Sequence, residues 1–280
     1  MNAIEIKNLT KEYPDFKLDD LNLTLPGGCI MGLVGENGAG KSTTIKLIAD
    51  MIKADSGSVT VLGMDSIKDT LKIKQETGFV LDDAGFPLVL DAEKIEKIMA
   101  KTYDNWDSKL FFSYLDKMSV PKNKMFKEFS KGMKMKLAIA VALSHDPKLL
   151  ILDEATSGLD PVVRDEMLDI FNDFTRDENH SVLISSHIVS DLEKLCDYIA
   201  FLHQGKLMLC EEKDILLESY GIVHGTAAQL GELASDAVIN KKITPYGAQA
   251  IVRRDAVPSG MNISPISIEE LFVFMVKENV

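Results

Sequence analysis

Apolar positions along this chain come in short bursts with two different periods. Near the N-terminus, Ile4 and Ile6, then Leu21, Leu23 and Leu25, alternate with polar residues. That period of two predicts antiparallel strands over residues 3–25 with one buried face. After a turn at Pro26-Gly27-Gly28, Cys29 to Val34 is a continuous apolar run, short enough for a strand buried on both faces. Ile45, Leu47, Ile48, Met51 and Ile52 then recur at helical spacing. Further buried strands are expected at Leu149–Leu152, Val182–Ser186 and Tyr198–Leu202, with helices at about 162–175 and 188–195. Between about 85 and 145 the periodicity is helical throughout. Strands alternating with helices give an α/β fold with a mostly parallel core sheet. An N-terminal antiparallel β subdomain and an inserted helical subdomain at about 85–145 complete residues 1–215. Residues 216–280 form a small C-terminal α+β extension, with weak strand signals at Ala248–Arg253. Its closing helix is expected at Ser267–Lys277, started by a capping box of Ser267 and Glu270.

Composition narrows the class. Hydrophobic residues make up 46% and charged residues 26% of 280, as in ordinary globular proteins. The 43 acidic residues outnumber the 31 basic ones, for a net charge of −12. That balance disfavours nucleic acid as a partner, because a phosphate backbone is bound by a basic surface. Cys29, Cys196 and Cys210 have no metal-type spacing, and Cys29 reads as a small core hydrophobe. The first residues show no basic stretch followed by an apolar one, so no signal peptide is expected. The longest apolar run, Leu137 to Leu143, is far short of the roughly 20 residues that span a bilayer. A cytoplasmic protein is expected, reaching any membrane through a partner.

Gly35-Glu36-Asn37-Gly38-Ala39-Gly40-Lys41-Ser42 has the spacing of a phosphate loop, between the buried strand and the amphipathic helix that such a loop requires. Its glycines let backbone N–H groups curl inward onto phosphate oxygens. Lys41 places a mobile positive charge against the β- and γ-phosphates, and Ser42 offers a hydroxyl to Mg²⁺. The competing reading is a plain glycine turn between a strand and a helix, but a chance match in this length is roughly one in a hundred.

Leu149-Leu150-Ile151-Leu152-Asp153-Glu154 puts two acids just past a hydrophobic strand. Ligands of open α/β sheets gather at that edge. Asp153 suits Mg²⁺, a hard cation, and Glu154 is placed to activate a water. His187 follows another buried strand and falls on the same edge, within reach of a γ-phosphate. The other histidines, 145, 180, 203 and 224, read as solvated or structural.

In this order the motifs resemble those of the nucleotide-binding subunits of ATP-binding cassette (ABC) transporters, over at least residues 1–215. Gly35–Thr43 matches the Walker A segment, Leu149–Glu154 Walker B, Ser157-Gly158-Leu159-Asp160 the D-loop, and His187 the switch histidine. Tyr13 falls where the family stacks an aromatic ring on adenine. Phe129-Ser130-Lys131-Gly132-Met133 occupies the place of the family signature. The resemblance implies a P-loop NTPase cassette with ATP and Mg²⁺ as cofactors. It implies catalytic roles for Glu154, His187 and Lys41, and nucleotide contacts from Tyr13, Gly35, Asn37, Gly38, Ala39, Gly40, Lys41, Ser42, Thr43 and Asp160. Ser42, Asp153 and Asp82 are the implied metal ligands. The partners it implies are a second ABC subunit, whose ATP Ser130 and Gly132 would cover, and an integral membrane permease, engaged through residues around 82–120.

Three departures from the family form stand out. Lys131 replaces a signature glycine, Met133 a glutamine, and Asp82 the glutamine that usually follows the strand Gly78-Phe79-Val80-Leu81. Such variants resemble the bacterial exporter-like branch whose membrane subunit is separately encoded. The competing readings are a soluble ABC ATPase acting on ribosomes or DNA, and a regulatory ATP binder with low turnover. No heptad run interrupts the cassette, and one cassette is present rather than two, which weighs against the first. Retention of Lys41, Asp153, Glu154 and His187 weighs against the second.

Overall fold

The computed structural model describes residues 1–82, 85–234, 236–244, 247–258 and 261–276. The chain opens with a long hairpin of β1 (Asn2–Tyr13) and β2 (Phe16–Pro26), then β3 (Ile30–Val34) and helix α1 (Lys41–Ile48). Two strands the periodicity did not reveal, β4 (Ser56–Val61) and β5 (Met64–Asp65), extend the hairpin into an antiparallel sheet of order β2-β1-β4-β5. Next come α2 (Thr70–Glu76), β6 (Thr77–Val80) and the helical stretch α3 (Ala92–Thr102), α4 (Ser108–Lys117) and α5 (Lys131–Leu143). The α/β pattern resumes with β7 (Leu149–Asp153), α6 (Pro161–Phe174), β8 (Ser181–Ser186), α7 (Val189–Leu195), β9 (Tyr198–His203) and β10 (Lys206–Glu212). Last are α8 (Lys213–Ser219), β11 (Tyr220–Gly225), α9 (Ala227–Gly231), β12 (Val238–Thr244), β13 (Gly247–Arg253), β14 (Ile263–Ser264) and α10 (Ile268–Val276).

The central sheet has the order β10-β9-β3-β8-β7-β6, parallel from β9 to β6 and closed at one edge by antiparallel β10. Strands β3, β7 and β8 are buried at every position because both faces of the sheet are covered. Leu149, Ile151 and Leu183 pack with Ile4, Leu25 and Ile45 against the N-terminal sheet. Leu150, Leu152, Val182 and Ile184 point the other way, into a core shared with Phe111, Leu137 and Phe171 of the helical layer. The consequence for function is an ordered row of strand ends: β3, β7 and β8 all deliver their C-terminal residues to one edge.

The third sheet, β12-β13-β11-β14, has a small core of its own around Val223, Leu230, Ala250 and Val252. Its other face joins the main core through Ile222 and Ile251, and α10 does so through Ile268, Leu271 and Phe272. The expected capping box starts α10: Ser267 N donates to Glu270 Oε2 at 3.0 Å, and Glu270 N to Ser267 Oγ at 3.2 Å. Lys277, the expected end of that helix, lies outside the described residues. Cys29 stands half-buried just before β3, where burial pushes its thiol pKa up.

Candidate functional site

The phosphate loop runs from the end of β3 to the start of α1. Gly38 (φ 83°) and Gly40 (φ 111°) hold left-handed backbone that a side chain would strain. A Cβ at Gly40 would also stand 2.9 Å from Phe16 Cζ. Gly35 and buried Ala39 form the inner wall of the curl, which Gly205 N ties down by donating to Ala39 O at 2.9 Å. Asn37, Gly38, Gly40, Lys41, Ser42 and Thr43 line one side of a cavity of about 620 Å³. That volume is within the usual range for small-molecule sites.

Residues from three other strand ends meet the loop there. Glu154, Ser157, His187 and Asp82 line the same cavity. Glu154 bridges two cationic or proton-carrying groups: Lys41 Nζ is 3.3 Å from its Oε1, and His187 Nδ1 is 2.7 Å from its Oε2. The Lys41 ammonium also donates to Gly35 O at 2.7 Å and Glu36 O at 3.3 Å. Its stem is buried, so a deep positive charge is held at the cavity floor by carbonyls and one carboxylate. Glu154 has φ 53°, a left-handed conformation uncommon for a residue with a side chain. Its N–H donates to both the backbone O and the Oγ of Ser185, each at 3.1 Å, which holds it in that conformation. Left-handed non-glycine backbone kept by a neighbouring strand is characteristic of functional sites.

Asp153 sits behind this wall, 3% exposed, with Ser185 Oγ donating to its Oδ1 at 2.6 Å. Among the described residues no cluster of three His, Cys, Asp or Glu side chains would bind a metal by itself. One buried carboxylate and the Ser42 hydroxyl instead suit Mg²⁺ arriving on a polyphosphate, since that ion keeps waters and takes few protein ligands. The described donors therefore fit a nucleotide-borne magnesium better than a resident metal.

The remaining expected residues lie off the wall. Tyr13 is 40% exposed and outside the lining, with its ring centroid 6.4 Å from that of Phe16, which does line the cavity together with Asp15. Ser130 caps α5, its Oγ accepting from Met133 N at 3.2 Å. Asp160 caps α6 in the same way, accepting from Val163 N at 3.1 Å. Neither these nor Gly132 line the cavity of their own chain. Sequence reasoning missed Phe16 and Ser185, and it placed Glu36 in the Walker A segment and Ser157 in the D-loop without giving either a contact. Ser185 had a signal: a hydroxyl that ends the apolar run Val182–Ile184, in register with Asp153 on the next strand.

A parallel sheet with a glycine loop, a buried lysine and paired acids at one edge defines a phosphate-loop nucleotide-binding α/β protein. The profile of one protein family, described as ABC transporter, matches residues 18–157. The bacitracin transport ATP-binding protein BcrA of Bacillus licheniformis is 37% identical over 208 residues, covering 73% of this chain and 68% of that protein. The lantibiotic transport ATP-binding protein SrtF of Streptococcus pyogenes is 36% identical over 220 residues, covering 75% and 91%. A dimeric ATP-binding cassette in a post-hydrolysis state, bound to ADP and Pi, has the same fold. It matches with a TM-score of 0.68 and 22% identity over 75% of this chain and 98% of its own. The chain belongs to the ABC transporter family and is an ATP-binding cassette subunit.

Proposed function

We propose that this chain hydrolyses ATP to drive a separate membrane-spanning permease, and that transport runs outward. What carries the reading is the position of Glu154, fixed at a strand end between Lys41 and His187 on the wall that also holds the phosphate loop. In this reading Lys41 and the loop amides take the β- and γ-phosphates. Ser42 and Asp153 hold Mg²⁺, which neutralises phosphate charge when bound. Glu154 accepts a proton from the attacking water as its oxygen bonds to the γ-phosphorus and the bond to the β-phosphate oxygen breaks. His187, already hydrogen-bonded to Glu154, steadies the γ-phosphate. Phe16 and Tyr13 flank the base.

Ser130, Gly132 and Asp160 serve the nucleotide of a second cassette, which agrees with their place off the wall of their own chain. The dimeric fold neighbour supports such a pairing. Among the described residues no helix is long and apolar enough to cross a membrane. The transport work therefore falls to a partner, which would hold the subunit at the inner membrane face. Relatives named for bacitracin and lantibiotic transport, and the signature variants of the exporter-like branch, support export. Residues 1–215 act as the cassette and 216–280 as an accessory extension.

Glu154→Gln tests the chemistry. It should keep MgATP binding while lowering hydrolysis at least about 100-fold, the usual worth of a general base. Unchanged hydrolysis in that variant would remove Glu154 from its role.

A further inference from the structure

Two of the residues that depart from the family form touch each other. Lys131 Nζ is 3.8 Å from Asp82 Oδ1, each side chain about half exposed. Taken singly, each charge is badly placed. Lys131 is the first residue of α5, whose first turn contains no acid, so its cation stands at the positive end of the helix dipole. Asp82 is on the wall of the cavity that takes the triphosphate, where a carboxylate repels the ligand. Together each relieves the other. The lysine is also guided: a Cβ on Gly158 would stand 3.1 Å from its Nζ and 3.5 Å from its Cδ, so the stem lies over the D-loop.

We infer that Lys131 is a positioning residue for the nucleotide site, pairing with Asp82 so that this acid can occupy the cavity rim without repelling MgATP. The inference rests on the cassette reading above. It makes the two substitutions one change: a neutral glutamine–glycine arrangement replaced by a compensated acid–base pair. Toward the nucleotide of its own chain the lysine, which does not line the cavity, acts only through Asp82, so removing it should matter there only while the acid is present.

A double-variant cycle with calorimetric binding of Mg²⁺ and a non-hydrolysable ATP analogue tests this. At low salt, Lys131→Gly should weaken binding about three-fold, in the range of a partly exposed ion pair. In the Asp82→Gln background the same change should have no effect. Lys131→Gln, which keeps the helix start intact, should behave like Lys131→Gly, and Lys131→Arg should keep wild-type affinity. The difference should fade in high salt, since exposed charges are screened. Equal weakening in both backgrounds, or none in the wild-type background at low salt, would overturn the inference while leaving the cassette reading intact. A wild-type chain that binds no nucleotide would overturn both.

Discussion

Glu154 shows how one side chain can be specified by neighbours from two other strands. Its backbone is pinned to Ser185 on β8, and its carboxylate lies between Lys41 after β3 and His187 after β8. The acids, the lysine and the histidine were legible in the sequence because each follows an apolar strand and the strands end at one edge. Phe16 was not legible, since an aromatic two residues past Pro14 in a hairpin turn carries no spacing signal; only its position beside Gly40 brings it to the cavity. His145, read as solvated or structural, is structural: it is fully buried and stacks on Tyr103 with 3.9 Å between ring centroids. Burial pushes its pKa below the ordinary 6.5. The unfolded chain then binds a proton that the fold resists, so this group's contribution to stability is present above pH 6.5 and is lost as pH falls below it, through the lower pKa the group has in the fold. Urea midpoints should drop between pH 7.5 and 5.5 by more in the wild type than in His145→Phe. Equal drops would show that His145 does not set the acid limit.

At the scale of elements, legibility followed burial. Strands covered on both faces show as apolar runs, Leu149–Leu152 in β7 and Val182–Ile184 in β8, and α6 and α7 fall within a residue or two of their expected bounds. β4 was hidden because Ser56, Gly57 and Ser58 leave only Val59 and Val61 as apolar markers. The C-terminal strands gave weak signals because their sheet divides its side chains between a small local core and the main one. Helix α10 closes the chain against the central sheet, where Phe272 meets Phe201 edge-on with ring centroids 5.2 Å apart. Phe272→Ala should therefore destabilise the chain by about 3 kcal/mol, as a buried aromatic truncation does. Chemical denaturation would check it. A loss below about 1 kcal/mol would mean that α10 contributes little to the fold, against its burial here.

For the whole molecule, the separation of tasks follows from the layers. The N-terminal sheet, phosphate loop and central sheet build the nucleotide cavity. The helical layer presents Ser130 and Gly132 away from that cavity, at the start of α5, and exposes Leu88 and Val89 on the segment leading into α3. The proposed function gives such a cassette other chains to work with, and a net charge of −12 is not the basic balance that binding a nucleic acid calls for. The direct measurement is affinity capture of the tagged Glu154→Gln protein with MgATP from detergent-solubilised native membranes. A polytopic membrane protein should be recovered in stoichiometric amount, and it should be lost when Ser130→Arg blocks the closed pair. Recovery of ribosomes or DNA-bound factors in its place, with no membrane protein, would contradict the transport function.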